Sequence, residues 1–324
     1  MAMTQKLLTL IVAAMLCTSE VKPCDFCSMA TGINPYYNGK NKLLFNLLMQ
    51  HAQFTPVSAA SPVQNSVAMP SKGNSVQHAG HDAYASGASV DEQRRTLEIS
   101  YQHHISESVM LTAVVPFYQI GVQTAIDLSV QGMGDLTVLA HYILKTKISE
   151  AVPLTWLVGA GVKLPTGNSS MKDDAGTTLD PRVQAGSGSW DLVLNTSLIA
   201  VQDEWTAAFD LFGKINTSNA DGDLIGNPLA ISFTLSRDLV RSNADNFALI
   251  GIAGVRVEAA GKDMVQNEVD DFSGFTTGYL NVGGQAAWQF LRFNLTALVP
   301  AVQARVSDAP REGVRLLTGL RIEF

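Results

Sequence analysis

At 324 residues and 46% hydrophobic, with a mean hydropathy of +0.13, the chain is too apolar to remain unfolded and long enough for one large domain or two ordinary ones. A formal charge of -7 argues against nucleic acid as a partner, which calls for a basic surface. Beyond the first residues, Gly, Thr, Ser and Asn interrupt every apolar stretch before it reaches the ~18 residues that a membrane helix requires.

The leader, residues 1–19, carries Lys6, then "LLTLIVAAML", then "CTS". This is the charge, apolar core and small-residue order of a secretory signal, so the mature chain is expected to be exported. Removing Lys6 with the leader moves the formal charge to -8. Lipid attachment at Cys17 is the alternative, and Leu16 in front of it is a poor residue for that processing.

Residues 20–41 are expected to form a periplasmic N-terminal segment. It holds Cys24 and Cys27 in "KPCDFCSM", and in an oxidising compartment a local disulfide is the default reading. The alternative is a metal clamp, although two thiolates fill only half of a four-ligand zinc shell and "GINPYYNGKNKLLF" adds neither His nor acid. No His follows the pair, as c-type haem attachment requires, and no strand-helix setting suggests a thioredoxin motif.

The first strand is expected at 42–54, followed by a long outer loop, 55–93, rich in Ser, Ala, Gly and Pro. That loop contains "QHAGHDAY", in which His78 and His81 stand three apart with Met69 nearby. Such residues can bind copper or zinc, and in a flexible loop they are more often solvated.

From residue 94 onward, segments alternate apolar with polar or small residues at the period of two that strands impose. Leu97, Ile99 and Tyr101 oppose Thr96, Glu98, Ser100 and Gln102; Val314, Leu316, Leu320, Ile322 and Phe324 oppose Arg315, Gly319, Arg321 and Glu323. Further strands are expected at 94–105, 107–123, 133–147, 152–165, 188–202, 204–217, 227–238, 246–260, 274–290, 292–306 and 312–324. With 42–54 the number is even, and the segments exceed the 5 or so residues usual in soluble sandwiches. An all-β, antiparallel transmembrane barrel of about 12 strands over 42–324 is therefore favoured over a soluble sandwich.

Connections alternate between long and tight, which places both termini on the periplasmic side of an outer membrane. Outward rings should then gather at the periplasmic strand ends, where amphipathic aromatics sit at the interface: Tyr101, Trp156, Trp205, Phe247, Trp288, Phe293 and Phe324. Parity sends Glu98, Asp135, His141, Lys145, Lys163, Asp191, Asp210, Lys214, Arg256, Glu258, Arg292, Arg315 and Arg321 toward the lumen. Both signs occur, so bulk ion selectivity stays open, and side chains pairing with one another could fill a barrel of this size.

The most distinctive text is "GAGVKLPTGNSS" at 159–170, then "QAGSGSWDLVL" at 184–194. Lys163, Pro165 and Gly167 end one strand, and Gly186, Gly188, Trp190 and Asp191 open the next. Pro can sit where a strand leaves its ladder, and glycines permit the turn and the close return, so strand-end architecture is preferred over ligand contact. This pattern resembles the outer-membrane transporter family associated with meta-pathway phenol degradation, over roughly 95–324. The resemblance implies a barrel passing small molecules, with aromatic compounds as nominal cargo.

No G-x-S-x-G, H-E-x-x-H or G-x-x-x-x-G-K-[ST] occurs, so no enzyme and no cofactor is expected. Expected partners are outer-membrane lipid, the insertion machinery and a small-molecule solute. The principal rival function is metal handling through Cys24, Cys27, His78 and His81, followed by an outer-membrane enzyme or a purely structural barrel.

Overall fold

The computed structural model describes residues 40–54, 90–123, 127–173, 176, 178–242, 246–271, 273–305 and 311–324. Cys24, Cys27, His78 and His81, and the segments 1–39 and 55–89 around them, lie outside the described residues.

In chain order the elements are β1 (Lys42–Phe54), β2 (Val90–His104), β3 (Val109–Gln123), β4 (Asp127–Met133), β5 (Thr137–Ser149) and β6 (Val152–Lys163). A 3-10 turn, η1 (Pro181–Val183), precedes β7 (Asp191–Gln202), β8 (Trp205–Ile215), β9 (Pro228–Ser242) and β10 (Phe247–Ala260). The small hairpin β11 (Met264–Val265) and β12 (Glu268–Val269) leads to β13 (Phe275–Trp288), β14 (Leu291–Arg305), β15 (Arg311–Glu312) and β16 (Arg315–Glu323).

Antiparallel pairing runs β1-β2-β3-β5-β6-β7-β8-β9-β10-β13-β14-β16 and returns to β1, which closes a ring of twelve strands. The closing register is explicit: Lys42 stands opposite Gln102 of β2 on one side and Glu323 of β16 on the other. Closure leaves no long free edge, the condition for an antiparallel sheet to survive in lipid.

Side-chain parity inverts the order of a soluble protein. Leu97, Phe233, Val282 and Leu316 are exposed, whereas Glu98, Ser197, Glu258 and Arg315 are at most 1% exposed. An outer face of Leu, Val, Ile and aromatic side chains would be costly in water, at about 25 cal/mol per Å². In hydrocarbon it costs nothing, and that disposes of the soluble sandwich.

Both described chain ends lie at one end of the barrel, where the Phe324 amide donates to the Asn41 carbonyl at 3.0 Å. We call this the terminal end; short connections at 105–108, 150–151, 203–204 and 289–290 join strands there, and longer ones occupy the distal end. Tyr101, Trp156, Trp205, Trp288 and Phe324 are exposed near the terminal end, and Phe247 and Phe293 are half-buried there. The Tyr101 ring stacks on Phe324 at 6.4 Å.

Two details depart from the alternation pattern. Residues 127–132, expected within an outer loop, form β4 together with Met133, and β4 pairs with the distal half of β3 while β5 pairs with its terminal half. The strand expected at 133–147 is thus interrupted at 134–136, where the Gly134 amide donates to the Pro116 carbonyl at 2.8 Å. A Cβ on Gly134 would lie 2.3 Å from the Tyr118 ring, so only glycine fits the break. β2 also begins at Val90, inside the segment assigned to the long loop.

Candidate functional site

The inward faces form the candidate site, and its best-defined part lies on β5 to β8 toward the distal end. Lys163 at the end of β6 bonds Asp135 at 2.7 Å and Asp191, the first residue of β7, at 2.8 Å; Lys214 of β8 lies 3.7 Å from Asp191. All four are buried. Asp135 gathers further donors: the amides of Gly167 at 2.8 Å and Ser187 at 2.9 Å, and the Ser187 hydroxyl at 2.8 Å. Asp191 accepts from the Ser189 hydroxyl at 2.9 Å and from the Thr217 amide at 3.0 Å.

This cluster explains the sequence motif in structural terms. A carboxylate at the strand break clasps both arms of the 164–190 loop, with its charge offset by Lys163. Gly167 and Gly186 touch backbone to backbone, since a Cβ on Gly186 would sit 2.4 Å from the Gly167 carbonyl carbon. Gly188 takes a positive φ of 71°, and Pro165 directs the chain off β6. Trp190 is exposed, its carbonyl accepting from the Thr217 hydroxyl at 2.7 Å.

The clasped loop folds against the barrel. Leu179 and Ala185 pack on Tyr118, Ile120 and Val130, with Met171 and Val183 against them. Asp180 caps η1 by accepting from the Arg182 amide at 2.9 Å, and its carboxylate takes the Arg182 guanidinium at 2.8 Å. Arg182 also reaches Asp270 of the 261–274 connection at 3.2 Å, and Arg94 of β2 donates to the Arg182 carbonyl at 2.8 Å. Burial opposes the charge on Arg182, but Asp180, Asp263 and Asp270 outweigh it and hold the guanidinium above its ordinary range. Burial pushes the Asp263 carboxyl up, partly offset by the Gly226 amide at 2.7 Å and by Arg182. Asp180, Arg182 and Asp270 escaped the strand pattern; the local trace of the first two was Asp180 followed by Pro181, a helix-start signal, and Asp270 had none.

A second ionic group occupies the opposite wall. Arg315 of β16 bonds Glu258 of β10 at 2.8 Å and also Glu312 of β15, and it lies 4.6 Å over the Tyr279 ring. Glu258 accepts from Arg256 at 2.5 Å.

The other interior candidates are distributed along the lumen. Glu98 accepts from Asn46 at 3.3 Å. His141 meets Asn195 at 3.2 Å and rests over Gly159, where a Cβ would collide with its ring. Asp210 accepts from Ser197 at 2.5 Å. At the terminal end, Arg292 and Arg321 approach Glu323 at 3.4 and 3.6 Å. Lys145 shares the parity of His141 and Ile143 and is exposed, because pairing of β3 with β5 stops at Tyr142 and the β5-β6 hairpin runs on beyond it. Among the described residues no group of three His, Cys, Asp or Glu could hold a metal ion.

A closed ring of twelve antiparallel strands, apolar outside and ionic within, defines an outer-membrane-type β-barrel. The chain belongs to the family described as "Putative MetA-pathway of phenol degradation", whose model matches residues 71–302. An outer membrane channel from Pseudomonas putida F1 shares the fold, with a TM-score of 0.58 at 13% identity over 94% of this chain and 100% of that one. The β domain of the Bordetella autotransporter BrkA gives a TM-score of 0.44 at 11% identity, covering 88% and 100%. The translocator domain of the autotransporter NalP from Neisseria meningitidis gives 0.42 at 12%, covering 92% of each chain. No curated protein matches the chain.

Proposed function

We propose that the protein is a non-catalytic channel of the bacterial outer membrane that passes small solutes, aromatic and other hydrophobic compounds among them, by diffusion through a narrow polar lumen. The observation that carries this reading is the inverted barrel: a lipid-compatible exterior around an interior lined by Glu98, Lys163, Asp191, Arg256, Glu258 and Arg315. A purely structural barrel has no need of a lumen so rich in ionised groups, which are expensive to bury. The similarity to the outer membrane channel from Pseudomonas putida F1 adds support.

In this reading both chain ends face the periplasm, in keeping with the short connections at the terminal end, and the clasped 164–190 loop narrows the opposite mouth. Solutes move along the inward polar faces, exchanging hydrogen bonds with water and side chains rather than reacting.

The test is reconstitution. Purified full-length protein in planar bilayers is expected to give discrete ion conductance, and in liposomes to admit small solutes. A barrel that folds, shown by altered gel migration when unheated, yet conducts no ions and admits no solute would remove the reading.

A further inference from the structure

The connections at the distal end form two bodies that meet across the mouth. One is the arm 178–190, seated on β3 and β4 by the packing of Leu179 and Ala185 and on β2 by the bond from Arg94 to the Arg182 carbonyl. The other joins 216–227 to 261–274. Leu224 and Met264 exchange backbone bonds at 2.8 and 2.7 Å, the Asn267 amide donates to the Gly222 carbonyl at 3.0 Å, and Asp263 accepts from the Gly226 amide. Apolar packing seats the first body, and backbone bonds knit the second.

Between the two bodies the contact is polar. Beside β7 and β8, where both are rooted, Asn219 donates to the Ser187 carbonyl at 3.3 Å and the Thr217 amide donates to Asp191. Farther round the ring, Arg182 reaches Asp270 at 3.2 Å. Asp180 grips two nitrogens of that guanidinium, at 2.9 and 2.8 Å, and so aims the third at Asp270. Strand order places β2, the seat of Arg94, five steps from β10, which leads into 261–274; a ring of twelve allows no more than six. A residue bonded to both walls lies over the lumen, and its ion pair completes a bar across the mouth. The Arg182 side chain is 31% exposed, so this pair can exchange its partner for water at little cost.

We propose that Arg182 and Asp270 are the latch of a gate at the distal mouth: the two bodies part there to admit a solute and stay joined beside β7 and β8. This rests on the channel reading and names its regulation. Such a gate is a two-state equilibrium, and removing a bond made only in the closed state shifts it toward open by the worth of that bond.

Single-channel recordings of the full-length protein in planar bilayers test it, with folding of each variant checked by altered gel migration when unheated. Arg182→Gln and Asp270→Asn should each raise the ratio of open to closed time by about tenfold, the lower end of what a hydrogen bond to a charged group is worth. The unitary conductance of the open state should be kept. Arg182→Glu with Asp270→Arg should bring the ratio back toward wild type, which a general loosening of the loop would not do. If that exchange does not fold, Arg182→Lys, which keeps the charge without the fork, should fall between wild type and Arg182→Gln. Absence of current from folded wild type and from every folded variant would defeat the channel reading itself. Wild-type current whose open time is unaltered in both single variants, or not restored by the exchange, would overturn the gate and leave the channel standing.

Discussion

Asp135 illustrates how one side chain can hold a loop. Its carboxylate accepts from two backbone amides, a serine hydroxyl and Lys163 in a buried setting, so Asp135→Asn removes a charge while keeping the shape. Breaking one partner of a buried ion pair costs about 3 to 5 kcal/mol. Because Lys163 retains Asp191 at 2.8 Å, the lower end, about 3 kcal/mol, is expected, read from urea unfolding in phospholipid vesicles. Protease cleavage between 164 and 190 should rise in the same variant; unchanged cleavage would show that the carboxylate is not the clasp. Gly186→Ala tests the neighbouring contact by a different route, since its Cβ would lie 2.4 Å from backbone that has no rotamer to yield. The expected cost is about 1 to 3 kcal/mol, with loop cleavage increased and the heat-sensitive gel migration of the barrel retained.

At the level of elements, the loops of the distal end are tied to one another by groups that titrate. The Asp263 carboxyl sits above its ordinary range because of burial, so its contribution to docking of 261–274 is fully present below the unfolded value and is lost as pH rises through the folded one. Protection of the 261–274 amides, taken relative to intrinsic exchange at each pH, should therefore be greater in mildly acidic than in neutral solution, and Asp263→Asn should flatten that dependence; an equally steep protection profile in the variant would assign it elsewhere. These ties were invisible in the sequence because Arg182 and Asp270 are far apart in the chain. The strands were legible for the opposite reason: alternation at period two is local, and it carried β1, β7, β10 and β13 nearly to their ends. β4 was lost because the Gly134 break interrupts the alternation. The motif at 159–194 could be recognised as a strand end, but its organising acid, Asp135, comes from a separate strand break.

For the molecule as a whole, the decisive fact is that the greasy side is outside. Val282, midway along β13 between Ala253 and Ala297, is 58% exposed, and Val269 on the small distal hairpin is 56% exposed. Surface exposure alone makes the two equivalent, and in water an arginine at either should be tolerated equally. In an outer membrane they differ, because a charge at mid-depth of the lipid face must leave water, whereas one on a distal loop need not. Val282→Arg is expected to destabilise the barrel by about 2 to 4 kcal/mol and Val269→Arg by about 0 to 1. The measurement is urea unfolding of each variant in phospholipid vesicles, followed by tryptophan fluorescence. Equal costs at the two sites would mean that β13 does not face lipid, and the membrane reading of the fold would fail with it; unequal costs in the stated order tie the inverted parity of the strands to the solvent for which it is suited.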